Sequence, residues 1–119
     1  MDRHDDFFLA WLARDARFQA SIHFSPKRRL GYKVHRKVYT SMEDEPELNL
    51  WLASKGVHGR VLRDKEQIQK VLSLLAPVWE AVKDRGNLQK LLLTIDAPTA
   101  RKMNHADISD LMRQFEEIV

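Results

Sequence analysis

Between Arg14 and Phe18 the hydrophobic period of this chain changes, and that change limits the folds open to it. Residues 7–13, "FFLAWLA", are seven consecutive apolar residues, followed by Arg14, Asp15, Ala16 and Arg17. From Phe18 the pattern alternates: Phe18, Ala20, Ile22 and Phe24 point one way, Gln19, Ser21 and His23 the other. A helix apolar on nearly every side has to be enclosed, in a core or against a partner. A period of two marks a half-buried strand. The spacing predicts a helix from about Phe7 to Ala16, capped by Asp5 or Asp6 through backbone N–H bonds. A strand follows over residues 18–24.

The remaining elements extend this start. "YKVHRKVYT", residues 32–40, is a second strand. Tyr32, Val34, Arg36, Val38 and Thr40 share its inward face, with Arg36 expected at the rim; Lys33, His35, Lys37 and Tyr39 face outward. "PELNLWLASK" reads as a short helix with Pro46 in its first turn and Gly56 ending it. A short strand centres on Val61. Ile68, Val71, Leu72 and Leu75 form the stripe of a third helix that Pro77 interrupts, with Val78, Trp79 and Val82 continuing the burial. Asn87 begins another helix. Asn104 with Asp107 resembles a cap and its third-position acid, before a last helix with Ile108, Leu111, Met112, Phe115 and Ile118 on one face. Residues 1–119 are therefore expected to form one α+β domain with an antiparallel β-sheet and helices packed on one face.

Composition removes several functions. The chain has no cysteine, so disulfides, thiolate chemistry and Cys-ligated zinc are excluded. Its five histidines are scattered without an H-x-x-x-H pair, and no glycine-rich phosphate loop occurs. No apolar run approaches the roughly 20 residues of a membrane span, and no signal-peptide pattern opens the chain. The expectation is an intracellular protein, in cytoplasm or nucleoid, with no membrane partner.

Charge distribution says more than the net +3. Residues 25–37 hold six Lys or Arg and a histidine without one acid, and "EDEPE" follows at 43–47. A one-signed band of this kind suits a polyanion. The outward rows Gln19, Ser21, His23, Lys33, His35, Lys37 and Tyr39 are nearly all hydrogen-bonding groups. A two-stranded ribbon carrying them can enter a major groove, with Lys27, Arg28 and Arg29 of the turn beside phosphates. The plainer alternative is an ordinary solvated sheet face.

The opening resembles the signature helix of the LAGLIDADG homing endonuclease family, aligned on "FLAWLARDA", residues 8–16. "FQASIHF" is similar to that family's first strand, and "KRRLGYKV" to the turn into its second. The resemblance implies an antiparallel β-sheet saddle and a single-motif, homodimeric double-stranded DNA endonuclease. It implies that Phe8, Leu9, Ala10, Leu12, Ala13 and Ala16 meet a second copy across a two-fold axis. Asp15 keeps the metal-binding acid, and Lys83 or Arg85 would be the basic residue of the active site. Two Asp15 carboxylates near the axis call for a cation such as Mg2+ between them. Lys83 and Arg85 equally suit a helix C-terminus, and Asp15 a solvated helix end, although an acid there opposes the helix dipole.

The pattern also departs from the family. Ala10 and Ala16 stand for two glycines and Ala13 for an aspartate. Met42 occupies the place of a common glutamine, and residues 57–66 have room for one strand instead of a hairpin. Arg14 and Arg17 flank Asp15, able to pair with it or with phosphate. These departures favour the alternative, a DNA-binding protein or regulator on the same scaffold without cleavage. A protein-interaction domain with a basic surface is a third possibility.

Overall fold

The computed structural model of the protein describes residues 3–24, 32–96 and 105–118. Among them run α1 (Arg3–Asp15), β1 (Arg17–Phe24), β2 (Tyr32–Tyr39), α2 (Pro46–Ser54), β3 (Val61–Leu62), α3 (Lys65–Leu75), a 3₁₀ helix (Ala76–Ala81), α4 (Arg85–Asp96) and α5 (His105–Glu117). The class is α+β, with one small antiparallel sheet in the order β1-β2-β3. The β2–β3 register places Val38 opposite Leu62 and Tyr39 opposite Val61. The Thr40 N–H extends this ladder to the Arg60 carbonyl at 2.9 Å.

Two compact units divide the chain. The first joins Met1–Phe18 to Lys37–Arg85, and the second joins Gln19–Arg36 to Gly86–Val119. In the first unit α1 lies against α2, α3 and the 3₁₀ helix. Its buried side chains include Leu9, Leu12, Val38, Leu48, Leu52, Val57, Ile68, Val71 and Leu75. Each fully buried Leu or Val of this set contributes about 1.5–3 kcal/mol relative to exposure. The α3 stripe is the one its spacing predicts: Ile68, Val71, Leu72 and Leu75 are all buried. The helical pattern breaks at Pro77. α3 stops at Leu75, and the chain tightens into the 3₁₀ helix, with a non-helical Val78 (φ −119°, ψ 26°) inside it.

Gly56 ends α2 as its position requires. Its φ of +83° is left-handed, a conformation that costs a side-chain-bearing residue. The Gly56 N–H bonds to the Ala53 carbonyl at 3.0 Å and the Val57 N–H to the Leu52 carbonyl at 2.9 Å. This is the paired Schellman arrangement. Val57 and Leu52 are both buried, completing its apolar contact.

In the second unit Leu88, Leu91, Ile95 and Leu111 are buried. Arg36 is not at a solvent rim. It is half-buried, and its Nε donates to the Thr94 hydroxyl at 3.3 Å and its Nη2 to the Thr94 carbonyl at 3.0 Å. The cation thus satisfies a carbonyl in the last turn of α4, where the helix dipole favours positive charge. Burial lowers the Arg36 pKa from its ordinary value. α4 begins at Arg85, two residues before the expected Asn87. Asn104 lies outside the described residues, as does the Asp107 side chain.

Candidate functional site at the end of α1

α1 is amphipathic, not apolar on every side. Phe8, Leu9, Leu12, Ala13 and Ala16 are buried within their own chain, Leu12, Ala13 and Ala16 at 0% exposure. This corrects the expected dimer seam: of its six residues only Ala10 is exposed. The open strip of the helix is instead Phe7, Ala10, Trp11 and Arg14, spaced as neighbours along one face. Those four line a depression of about 430 Å³. Aromatic rings connect the strip to the core. Trp51 stacks on Phe8 (centroids 5.3 Å apart, 12°), Phe8 stacks on Trp11 (5.9 Å, 11°), and Phe7 meets Trp11 edge-on (5.9 Å, 72°).

The start of α1 also differs from expectation. The helix begins at Arg3, so Asp5 and Asp6 lie in its first turn and neither is the cap before Phe7. Asp5 Oδ1 accepts from the Trp51 indole N–H at 2.9 Å and pairs with the Lys55 ammonium at 3.3 Å. The Trp51 hydrogen bond is the main reason its pKa falls below the ordinary aspartate value.

The C-terminal end of α1 is finished by both local and distant groups. The Ala16 N–H bonds to the Leu12 carbonyl at 2.8 Å, and the Lys83 N–H reaches the Ala13 carbonyl at 3.0 Å. Arg17 Nη1 donates to the Arg14 and Ala16 carbonyls, both at 2.9 Å. Asp84 Oδ2 accepts the Phe18 N–H at 2.9 Å where β1 begins. The segment Lys83–Asp84 therefore pins the point where the period changes. It also brings the Lys83 backbone beside the last turn of α1, two residues from Asp15. The Lys83 side chain is exposed, and so is that of Arg85 in the first turn of α4.

Asp15 is well satisfied. Its Oδ1 accepts from Arg14 Nε at 2.9 Å and its Oδ2 from the Trp11 indole N–H at 2.8 Å. The Arg14 hydrogen bond, offset partly by burial and helped by Trp11, holds its carboxyl below the ordinary aspartate value. Trp11 is half-exposed because its indole reaches back over this acid.

A second carboxyl belongs here that the sequence reading missed. Glu45 directly precedes α2 in extended conformation (φ −126°, ψ 93°) and makes no capping bond. Its side chain lies instead beside Asp15 and Trp11. Burial, then the Asp15 charge, raises its pKa above the ordinary glutamate value. Its Oε2 is buried with no donor, which a proton held between the two carboxyls would satisfy. The one sequence signal was Glu45 beside Pro46, a position where a carboxylate that is not capping must point elsewhere.

These contacts bear on the expected metal. Both Asp15 oxygens already accept from donors, Arg14 Nε and the Trp11 indole N–H. No group of three His, Asp or Glu able to hold a metal occurs among the described residues.

Along β2, His35 is exposed and Lys37 and Tyr39 are half-buried, while Val38 is buried on the opposite face. Lys37 Nζ lies 5.3 Å from the Tyr39 ring centre and donates to its hydroxyl at 3.2 Å. On β1 Gln19 is exposed and Ser21 half-buried, against buried Phe18. The backbones of His23 and Lys33 run in the strands, but their side chains lie outside the described residues. Lys27, Arg28 and Arg29 lie outside them entirely. No described helix is long and apolar enough to cross a membrane. Compared with family models, curated proteins and solved structures, the chain matches none.

Proposed function

We propose that this chain is a double-stranded DNA-binding protein on a scaffold of the homing-endonuclease type, and that it reads DNA without metal-dependent cleavage of its own. The observation that carries this reading is the outward row His35, Lys37 and Tyr39 on β2. It offers alternating donors on a strand whose opposite face buries Val38. Such a strand face suits groove entry, with base edges met by side chains. The Lys37–Tyr39 contact holds one ammonium in place and lowers the entropy lost on binding. The engaged state of Asp15 supports the non-cleaving half of the proposal.

Homodimerisation belongs to the same proposal in altered form. A second copy would meet the strip Phe7, Ala10, Trp11 and Arg14, since the other face of α1 is core.

Metal-dependent cleavage with Mg2+ is the second reading. It draws on the Lys83 backbone lying beside Asp15's turn and on the neighbouring Glu45 carboxyl. One experiment separates the two. A library of duplexes is incubated with the protein and Mg2+, in parallel with Asp15→Asn. Sequence-selective retention without cleavage is the expected result. Cleavage by the parent that Asp15→Asn abolishes selects the second reading, and no retention at low salt removes both, because phosphate contacts are strongest there.

A further inference from the structure

A second depression of the first unit lies away from the end of α1. It has a volume of about 450 Å³ and is lined by Lys55 after α2, by Glu66, Gln69, Lys70, Ser73 and Leu74 of α3, and by Pro77. On α3 these residues recur at spacings of three and four, so they form one face beside the end of α2. The lining carries two ammonium groups, one carboxylate, an amide, a hydroxyl and an apolar floor. A few convergent polar groups over an apolar base are the usual make-up of a small-ligand site.

Both ammonium groups are held in place by contacts that leave donors to spare. Lys70 Nζ donates to the Gly56 carbonyl at 3.3 Å, an oxygen that Gln67 Nε2 also reaches at 3.1 Å. A side chain at position 56 would put its Cβ 3.2 Å from Lys70 Nζ, so the glycine that ends α2 also admits this ammonium. Lys55 Nζ is tethered to Asp5 at 3.3 Å and lies 5.8 Å from the Trp51 ring centre. An ammonium has three donors, and each of these lysines uses only part of its set. Glu66 stands 4.0 Å from Lys70 with its side chain 77% exposed, too loose a pair to neutralise it.

We propose that this depression binds a small amphiphilic anion, a phosphate monoester or carboxylate bearing an apolar group. The anionic head lies between Lys55 and Lys70, with Gln69 and Ser73 donating to it, and the apolar part rests on Leu74 and Pro77. The site is independent of the sheet proposed to meet DNA.

The test is an NMR titration that follows the backbone amides of Gln69, Lys70 and Ser73, with phenyl phosphate, benzoate and inorganic phosphate as probes. Phenyl phosphate or benzoate is expected to give saturating shifts with a Kd on the order of 1 mM. Inorganic phosphate should bind several-fold more weakly because it leaves the floor uncovered. The tighter of the two aromatic probes identifies the head group. Lys70→Gln should weaken binding about tenfold, the loss of one charge-assisted contact. Ser73→Leu, at an exposed helix position, should abolish it by filling the space. The proposal is overturned if no probe saturates, or if Lys70→Gln binds as the parent does. It is also overturned if duplex DNA alone moves these amides in a Lys70-dependent way, which would make the anion a nucleic-acid backbone.

Discussion

α2 and α1 end in opposite ways. α2 stops within its own sequence: Gly56 turns left-handed, and Gly56 and Val57 return their N–H groups to Ala53 and Leu52. α1 stops with borrowed groups, the Lys83 N–H on Ala13 and the Arg17 guanidinium on Arg14 and Ala16. A helix end closed by its own backbone does not need charged side chains on its last carbonyls. One closed from a distance gathers them, and the end of α1 collects Arg14, Asp15, Arg17, Glu45 and Asp84. The candidate chemistry of the first unit sits there for that reason.

The comparison can be broken most directly at its distant pin. Asp84→Ala leaves the Phe18 N–H without its partner and should cost about 2 kcal/mol, read as a lower urea midpoint at unchanged slope. A loss no larger than that of a surface substitution would mean that the end of α1 does not depend on residue 84. At the local end, Gly56→Ala forces a side chain into left-handed backbone and should cost about 1–2 kcal/mol by the same measurement. An unchanged midpoint would show that the turn relaxes freely.

The carboxyl pair gives a smaller effect that depends on pH. Asp15 lies below its ordinary value of 3.8, so its stabilisation is present above that value and is lost as pH falls through the folded value. Glu45 lies above its ordinary value of 4.5, so stability declines as pH rises from there through its folded value. Urea midpoints of the parent should therefore fall on both sides of this range. Glu45→Gln should remove the decline on the alkaline side and leave the acid side in place. A parent and variant with parallel profiles would remove the shared proton. Arg14→Ala should have the least effect on stability, since its bond to Asp15 faces solvent. Its use is to sharpen the reading of Asp15: if the variant gains Mg2+-dependent cleavage, the guanidinium was what excluded the cation.

What could be read in advance follows the same division. The stop at Gly56, the alternation along β2, the stripe of α3 and the break at Pro77 are local, and each residue acts within a few positions of itself. The cap assigned to Asp5 or Asp6 failed because α1 begins at Arg3, and Trp51, distant in sequence, claims the Asp5 carboxylate. The seam assigned to Leu9, Leu12 and Ala13 failed for a related reason. Seven apolar residues in a row do not say which side faces out, and exposed Phe7 and half-exposed Trp11 look like core in a sequence. Glu45 was hidden inside the acidic run at 43–47. Basic residues 27–29, the centre of the DNA expectation, lie outside the described residues.

The bond from Lys83 to Ala13 has a consequence for the order in which the chain becomes ordered during synthesis. α2 holds every group that closes its end once Val57 has left the ribosome. α1 is made first, yet its last turn waits until residues 83 and 84 emerge. Closing so long a loop is slow compared with forming local turns. Through that interval the apolar face of α1, part of a run of seven apolar residues, has only part of its cover.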